Sequence, residues 1–538
     1  MKPRCGHAEP DVTNSGRPRR SRIASAALLL ASLTAVSQVL GLVRDSVLAA
    51  TFGAGDDLDA YLVAQGVMNL VLAMVAGAMS RAVVPPVSRA AAAGDAARAY
   101  RTVQTALTLS VLVLVLAGAV VFVTAGQVAS VLAPGFDSDQ AELATRLTRI
   151  VLGATALVAA TDILAAAAQS HGRFFHSGAQ GVAFNLVMIA AAAGFGTVYG
   201  IDAVAVGFVV ASAARLAIQL PAVRRIGLRL RPRLDLRDAD FREVLRLTPP
   251  LLVGSAVVNV NTLVDRAVGS SQGEGTIAAL SLGWRVTTLV DSLLVATAVA
   301  ALYPAFSALG DPTRRAELRR LVDRSMSAML VLLAPAVALL VAAAEPLVTL
   351  AFGRGAFGAD DVSMTSIAVT GYAASAVGIA VRSVASRAFF AVGDSRTPVL
   401  MAVLAMVVNV VGDLTLGVAY GIPGLAASTT VSLLVGAAGS VALLARRHAA
   451  VSLRPLVSSG ARIGLAGLLA GTTCWAAVAW TDPGPADDGA ALVALLVQLG
   501  SAGLVALATY AAAMLVLGRD ELNDLAAVAG LRLGRGPA

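Results

Sequence analysis

Ionisable side chains lie inside apolar stretches of this sequence, where an isolated charge is costly and a functional role is the default expectation. Arg44 and Asp45 close one such stretch, Asp59 opens the next, and Arg285 and Asp291 share another. An arginine in a water-filled cavity suits a phosphate or pyrophosphate, because its planar guanidinium donates paired N–H groups. A carboxylate nearby can hold that arginine ready in the empty state, or exchange a proton or a cation.

Six residues are therefore candidate substrate-binding groups of a central cavity: Arg44, Asp45, Asp59, Asn69, Arg285 and Asp291. Other interpretations stay open for some of them. Arg44 with Asp45 can instead reach the outer membrane interface, and so can the pair Asp265 and Arg266. The asparagines of the apolar stretches bind either a ligand or a neighbouring helix.

Four further charged residues inside apolar stretches are Asp162, Arg215, Arg382 and Asp413. Either arginine can pair with one of the two aspartates, and a structural pairing is the preferred account. An acidic run, Asp56-Asp57-Leu58-Asp59, resembles the metal-binding runs of membrane transferases. No second acidic run accompanies it, so we predict a transporter rather than an enzyme, with no catalytic residues, metal or cofactor. The absence of a GxxxxGK[ST] loop argues against direct use of ATP.

These residues are positioned by fourteen long apolar stretches, each close to the roughly 20 residues that cross a bilayer as a helix. The expected spans are 23–43, 60–80, 102–124, 148–169, 179–199, 202–222, 248–266, 277–306, 326–344, 364–388, 398–419, 424–445, 460–480 and 491–517. The chain is 57% hydrophobic and 14% charged, with a mean hydropathy of +0.79. We predict an all-α polytopic membrane protein with about fourteen transmembrane helices.

The net charge of +8 does not indicate nucleic acid, because the arginines lie in loops of one membrane face. Loops after even-numbered spans are rich in arginine, whereas loops after odd-numbered spans are acidic. The positive-inside rule then places both termini of this multi-pass membrane protein in the cytoplasm. Cys5 and Cys474, the two cysteines, indicate neither a disulfide framework nor a metal site.

The sequence repeats itself at a spacing of about 220 residues. Leu42-Val43-Arg44-Asp45 corresponds to Leu263-Val264-Asp265-Arg266, and Pro85-Pro86-Val87-Ser88 to Pro304-Ala305-Phe306-Ser307. Parallel repeats of six spans predict two bundles facing each other across a cavity. The expected parts are a tail (1–22), an N-lobe (23–222), a basic cytoplasmic linker (223–247), a C-lobe (248–445), an added pair of spans (446–517) and a cytoplasmic tail (518–538).

Several segments resemble the MviN/MurJ family, the lipid II flippases of the multidrug/oligosaccharidyl-lipid/polysaccharide (MOP) exporter superfamily. They are Ser37-Gln38-Val39-Leu40-Gly41-Leu42-Val43-Arg44-Asp45, Phe52-Gly53-Ala54-Gly55 with Asp59-Ala60-Tyr61, Phe352-Gly353-Arg354-Gly355-Ala356-Phe357, and the most specific, Arg387-Ala388-Phe389-Phe390-Ala391-Val392-Gly393-Asp394-Ser395-Arg396-Thr397-Pro398-Val399. The resemblance implies two lobes in a V, a lipid groove at the last two spans, and alternating access. It also implies that Arg44, Asp59 and Arg285 line the cavity and that a cationic cavity holds the pyrophosphate.

The chain departs from the family pattern at several cavity positions. Gln38 stands where typical members carry arginine, Leu72 lies where another arginine is expected, and Thr288 replaces an acidic residue. We expect a flippase of the bacterial plasma membrane for lipid II or a related undecaprenyl-pyrophosphate-linked precursor. Its expected partners are membrane lipids and cell-wall synthesis or division proteins. The alternatives are an exporter of another lipid-linked glycan or amphiphile, and a transport-inactive cell-wall scaffold.

Overall fold

The computed structural model describes residues 17–73, 75–481 and 488–528, and its regular elements within those ranges are all helices. Residues 1–16 and 529–538 of the expected tails, including Cys5, lie outside the described part. So do Asp482 and Asp487 of one expected acidic loop.

The N-terminal half supplies the first six expected spans. Its helices are α1 (Arg17–Phe52), α2 (Asp56–Ala73), α3 (Ala76–Ala92), α4 (Ala96–Val123), α5 (Ala125–Leu132), α6 (Ser138–Val151), α7 (Thr155–Ser170), α8 (Phe175–Tyr199) and α9 (Ile201–Arg225). Two helices in succession form the second span (α2, α3) and the fourth span (α6, α7).

The C-terminal half follows the same plan. Its helices are α10 (Ala239–Gly269), α11 (Thr276–Ala308), α12 (Arg315–Ala342), α13 (Ala344–Phe352), α14 (Ala359–Tyr372), α15 (Ser375–Ala391), α16 (Arg396–Gly412), α17 (Val418–Tyr420) and α18 (Ile422–His448). A π-helical turn, Asp413–Gly417, joins α16 to α17. The added helices are α19 (Leu453–Trp480), α20 (Asp488–Leu517) and α21 (Arg519–Val528).

Twelve helical stretches of the described residues are long and apolar enough to cross a bilayer. The helices α10 and α11 are not among the twelve, but they occupy expected spans seven and eight and contain 31 and 33 residues. The all-α polytopic class is therefore confirmed, while the count of fourteen spans stays a prediction.

The expected basic linker (223–247) is partly helical. Helix α9 continues to Arg225, and α10 begins at Ala239, well before the apolar stretch starts. The reason is a cap: Asp238 Oδ1 accepts the N–H groups of Asp240 (2.9 Å) and Phe241 (3.1 Å), which satisfies two donors of the first turn.

The repeat found in the sequence is visible in the helices. The short helices α5 and α13 follow the third and ninth spans, about 220 residues apart, and the breaks within spans four and ten share that offset. One apolar core lies in the N-terminal half and includes Phe241 and Val244 from the start of α10, another lies within the C-terminal half, and a third combines residues of both halves. This third core joins the halves.

The added helices pack outside the repeat. Residues of α19 and α20 share an apolar core with Val331 and Ala338 of α12. The expected C-terminal tail includes α21, which contacts α12 and forms ion pairs between Asp524 and Arg324 (3.3 Å) and between Glu521 and Arg462 (2.5 Å). Helix α21 therefore ties the added pair to the C-terminal half.

Candidate functional site

Three of the expected cavity residues lie together where α1 contacts α11. Arg44 donates to Asp45 Oδ1 from Nη2 (2.7 Å) and from Nε (3.0 Å). Nε of Arg285 lies 3.1 Å from Oδ2 of the same carboxylate. Since Asp45 is only 9% exposed, one buried carboxylate joins an arginine of the N-terminal half to an arginine of the C-terminal half.

The remaining donors of Arg285 point to Gln38, about two turns before Asp45 on α1. Nη1 donates to Gln38 Oε1 (3.1 Å) and Nη2 to the Gln38 carbonyl (3.2 Å). The guanidinium can lie this close to α1 because residue 41 is glycine: a Cβ on Gly41 would stand 2.0 Å from Nη2 of Arg285. Gly41 and Gln38 thus position Arg285, and both belong to residues 37–45, the first segment that resembles the family.

The ionic contacts continue into the N-terminal half. Arg44 Nη1 donates to Asn185 Oδ1 (3.2 Å), and Asn185 Nδ2 donates to the Ser37 carbonyl (2.8 Å). The Phe184 ring has a guanidinium near each side, Arg44 at 5.9 Å and Arg215 at 5.6 Å from its centroid.

Arg215 in turn lies 3.5 Å from Asp162, which is one of the pairings that the sequence analysis left open. We call the resulting series the charge chain; its members are Asp162, Arg215, Arg44, Asp45 and Arg285. It contains three guanidinium groups and two carboxylates, which gives a net charge of +1 when all are ionised. The side chains of Arg44 and Arg285 are 21% and 25% exposed, so neither reaches far into solvent.

An anion that enters here meets donors already satisfied by the protein. Charge-assisted hydrogen bonds are worth roughly 1.5–3 kcal/mol each, so a phosphate must replace Asp45 or Gln38 as acceptor to gain that energy. Asp45 therefore holds both arginines in place when no anion is bound. Arg44 also binds Asn185 of α8, so its side chain is held against a neighbouring helix.

Asp59 lies at a different level, beside one of the acidic loops that follow odd-numbered spans. We call the loops around Asp59, Asp137, Glu274 and Asp361 the acidic face. It is 1% exposed, and its Oδ1 accepts the N–H of Ala278 over 2.6 Å. Helix α11 begins after Gly275, which has no side chain and adopts φ +74°. The first turn of a helix leaves N–H groups unsatisfied, so a carboxylate of the N-terminal half caps a helix of the C-terminal half.

Three other hydrogen bonds join the halves at the acidic face. Ala356 N–H donates to the Ala50 carbonyl (2.8 Å), and Ala54 N–H donates to Asp361 Oδ2 (3.2 Å). Gly135 N–H donates to Ser270 Oγ (3.2 Å). A Cβ on Gly275 would stand 1.9 Å from the Ala54 carbonyl oxygen, so this loop contact also requires glycine. The halves are thus closed against each other on this face.

The last two expected cavity residues lie away from the charge chain. Asn69 is exposed on α2. Asp291 lies on α11 beyond Arg285 and lines a cavity of about 470 Å³ inside the C-terminal half. Its Oδ1 has no hydrogen-bond partner among the described residues.

The same cavity contains a second polar cluster that the sequence analysis did not assemble. Asn409 Nδ2 donates to both oxygens of Asp413 (2.9 Å each), and Ser428 Oγ also donates to Asp413. Asp265 lines the cavity beside them, and its Oδ1 lacks a hydrogen-bond partner among the described residues. Two carboxylates with amide and hydroxyl oxygens can hold a shared proton or a hard cation.

Arg382, the other arginine that the sequence analysis considered for such a pairing, makes no ion pair with Asp413 in the described part of the chain and lines the cavity instead. The acidic run at residues 56–59 also separates, because Asp59 is buried as a cap while Asp56 and Asp57 are exposed. Within the described residues, no group of three or more acidic, histidine or cysteine side chains is placed to hold a metal ion.

Comparison with known proteins shows which family has this sequence pattern and architecture. The model of the MurJ lipid II flippase family matches residues 48–485. A probable lipid II flippase MurJ of Vibrio cholerae is 27% identical over 522 residues, which cover 94% of this chain and 98% of that protein.

Two solved structures share the fold. One, a lipid II flippase MurJ in an inward closed conformation, has a TM-score of 0.75 and 20% identity, and the match covers 92% of this chain and 100% of that chain. The other is a multidrug resistance MATE family transporter of the MOP superfamily in an inward-facing conformation. It has a TM-score of 0.64 and 14% identity, with 80% of this chain and 95% of that chain covered. Because the family model spans most of the sequence, this multi-pass membrane protein belongs to the MurJ lipid II flippase family.

Proposed function

We propose that this protein moves lipid II, or a related undecaprenyl-pyrophosphate-linked precursor of peptidoglycan, from the inner to the outer leaflet by alternating access. The observation that supports this most directly is the position of Asp45 between Arg44 and Arg285, which belong to different halves. A pyrophosphate suits this place because it offers several acceptor oxygens to two planar guanidinium groups.

In this proposal the anionic head group competes with Asp45 and Gln38 for the arginines. Helix α11 carries both Arg285 and the turn capped by Asp59, and two helical turns, about 10 Å, separate Arg285 from Ala278. A shift of α11 on anion binding therefore acts directly on the Ala278 hydrogen bond at the acidic face. Opening of that face releases the head group on the other side of the membrane.

The topology that completes the proposal has both termini in the cytoplasm, since arginine-rich loops mark the cytoplasmic face. The substrate's polyprenyl tail lies along the added helices α19 and α20. The buried carboxylates Asp265 and Asp413 are the candidate groups for coupling to an ion or proton gradient. Cell-wall synthesis or division proteins are the expected protein partners.

Gln38 supports a second candidate function, export of a lipid-linked glycan or amphiphile with fewer negative charges than a pyrophosphate. Arg285 donates two hydrogen bonds to this residue, where family members typically offer a further arginine. The charge chain then keeps a net charge of only +1, which balances a single phosphodiester. A transport-inactive scaffold is the remaining alternative.

The test is complementation of bacteria depleted of their essential lipid II flippase, with lipid II on the outer leaflet as the readout. We expect rescue by the wild-type chain, loss with Arg285→Ala or Arg44→Ala, and no loss with Arg319→Ala, an exposed arginine of a loop-proximal turn. Failure of a well-expressed, membrane-inserted wild-type chain would count against lipid II and favour the second candidate. Rescue that survives both cavity substitutions would contradict the mechanism.

A further inference from the structure

Between α9 and α10 the chain carries a stretch without helix or strand in which arginine alternates with apolar residues. We call residues 229–237 the basic segment; its sequence is Arg229-Leu230-Arg231-Pro232-Arg233-Leu234-Asp235-Leu236-Arg237. Four arginines and one aspartate give it a net charge of +3. The function proposed above makes no use of this segment.

The basic segment lies along α4, close to where the apolar surface of that helix begins. Gln104 Nε2 donates to the Arg229 carbonyl (2.6 Å), and the N–H of Arg233 donates to Thr108 Oγ1 (3.0 Å). One helical turn beyond Thr108, Leu112 starts the row of outward-facing apolar residues of α4. This position beside the start of the apolar surface suits the headgroup layer of a membrane better than the aqueous phase.

Both ends of the segment are fixed in the protein. Leu228 directly before it is 4% exposed, and Phe241, in the first turn of α10 four residues after it, is fully buried; the two belong to the same apolar core. Asp238 also caps α10 just past the segment. The segment is thus a surface loop that is anchored at both ends, and not a free tail.

The protein leaves the apolar side chains of the segment uncovered. Leu230, Leu234 and Leu236 are 47%, 53% and 49% exposed, and Arg229, Arg231 and Arg233 are exposed beside them. In an extended chain, neighbouring side chains point to opposite sides, which separates the leucines from the arginines. Leucine favours the acyl boundary and arginine favours phosphate, and this combination is typical of interfacial membrane-binding segments.

We propose that the basic segment binds the headgroups of anionic phospholipids, with the leucines inserted at the acyl boundary and the arginines on the phosphates. The charge favours anionic over zwitterionic lipids, and the leucines favour a lipid over a soluble anion. Because Leu228 and Phe241 anchor the segment in the core next to α4, bound lipid holds this face of the N-terminal half at a defined depth.

The experiment uses the full chain purified in detergent and exchanged with defined lipids, and counts retained phosphatidylglycerol and phosphatidylcholine molecules by native mass spectrometry. We expect the wild type to retain phosphatidylglycerol selectively. The triple variant Arg229→Gln, Arg231→Gln, Arg233→Gln should lower this affinity by about five-fold for each arginine removed. The double variant Leu230→Ser, Leu234→Ser should lower retention of both lipids.

The matched control replaces three other exposed arginines of the same face, Arg319, Arg320 and Arg446, by glutamine. None of them has an exposed leucine next to it in the sequence. An equal loss of phosphatidylglycerol in this control would show a general charge effect and overturn the proposal. Competition by inorganic phosphate at millimolar concentration would show a soluble-anion site and also overturn it. Unchanged retention in the basic-segment triple variant, with an unchanged melting temperature, would do the same.

Discussion

The carboxylate of Asp59 accepts the backbone N–H of Ala278 over 2.6 Å, and this hydrogen bond joins the two halves of the protein at the acidic face. The helix that receives the cap, α11, begins after Gly275 and has no capping side chain of its own there. Closure of the acidic face and stability of the first turn of α11 are therefore linked. Opening this face exposes the first N–H groups of α11 to water.

Removing the cap should shift the protein toward a conformation open at the acidic face. A charge-assisted hydrogen bond is worth roughly 1.5–3 kcal/mol, so Asp59→Ala should change the ratio of closed to open forms by about ten- to a hundred-fold. Asp59→Asn keeps an acceptor and should change it less. With Cys5 and Cys474 replaced by alanine as the labelling background, spin labels at Ser138 and Ser271, which are exposed in different halves, should show longer distances in Asp59→Ala than in the unsubstituted protein.

Asp57 provides the matched control for that measurement. It lies in the same first turn of α2 but is exposed. Asp57→Asn should leave the distance distribution unchanged. If Asp57→Asn and Asp59→Asn lengthen the distance equally, the effect is one of general charge and the cap is not the cause.

Gly41→Ala should displace Arg285 without removing a charge. The added Cβ would stand 2.0 Å from Nη2 of Arg285, so the guanidinium must leave its hydrogen bonds to Gln38. We expect flipping of lipid II to fall by at least several-fold. This loss is expected even though replacing glycine by alanine in a helix interior normally stabilises a protein by about 1 kcal/mol. The measurement is outer-leaflet lipid II together with the melting temperature.

The control for this substitution is Gly464→Ala on α19, where a Cβ would meet no atom within 4 Å. It should leave flipping unchanged. Normal flipping by Gly41→Ala would mean that the position of Arg285 against α1 is not required.

Much of the fold follows from the sequence because bilayer thickness and loop charge leave few alternatives. The offset of about 220 residues between Leu42-Val43-Arg44-Asp45 and its counterpart is reproduced by α5 and α13. The starts of the helices were harder to predict from the sequence. Helix α10, for example, begins at Ala239 because Asp238 caps it, and not where the hydropathy rises. The number of spans also depends on α10 and α11, which carry charged residues.

The site was only partly predictable. Residue type indicated that Arg44, Asp45 and Arg285 lie in apolar surroundings, but the sequence contains no signal that one carboxylate bridges the two arginines. The cap by Asp59 was equally hidden, because its partner Ala278 contributes a backbone N–H and no recognisable side chain. Such contacts depend on the approach of two helices that are distant in sequence.

Gln38→Arg should test which head group the cavity prefers. The substitution adds a cation where the family typically has one and removes an acceptor of Arg285. An added charge-assisted hydrogen bond of roughly 1.5–3 kcal/mol predicts an affinity for inorganic pyrophosphate about ten- to a hundred-fold higher. Isothermal titration of the purified protein measures this, with Gln498→Arg, a glutamine of α20, as the control.

Improved lipid II flipping in Gln38→Arg would indicate that the native chain transports a less charged substrate. Equal affinities of Gln38→Arg and the wild type would contradict the assignment of residue 38 to the anion site.

The most specific family segment, residues 387–399, has a structural role that predicts a pH dependence. Asp394 precedes α16 and accepts hydrogen bonds from the N–H groups of Arg396 (3.1 Å) and Thr397 (3.0 Å), and His448 Nε2 lies 3.0 Å from its Oδ2. Although its partial burial acts in the opposite direction, the hydrogen bonds from Thr397 and His448 lower the pKa of Asp394 below its ordinary value.

A carboxylate with a lowered pKa in the folded protein stabilises it above the pKa of the unfolded chain, near 4, and this contribution is lost as the pH falls through the folded pKa. Loss of the cap in Asp394→Ala should cost about 1 kcal/mol at pH 7. The difference in melting temperature between wild type and variant should be constant from pH 7 down to about pH 5 and shrink below about pH 4.

His448 separates the cap from the ion pair in this experiment. His448→Gln should lower stability less than Asp394→Ala, because the two backbone N–H groups keep their acceptor. Asp360, an exposed aspartate of the acidic face, serves as the control, and Asp360→Ala should show no such pH profile. A difference between wild type and Asp394→Ala that grows as the pH falls below 4 would contradict the lowered pKa.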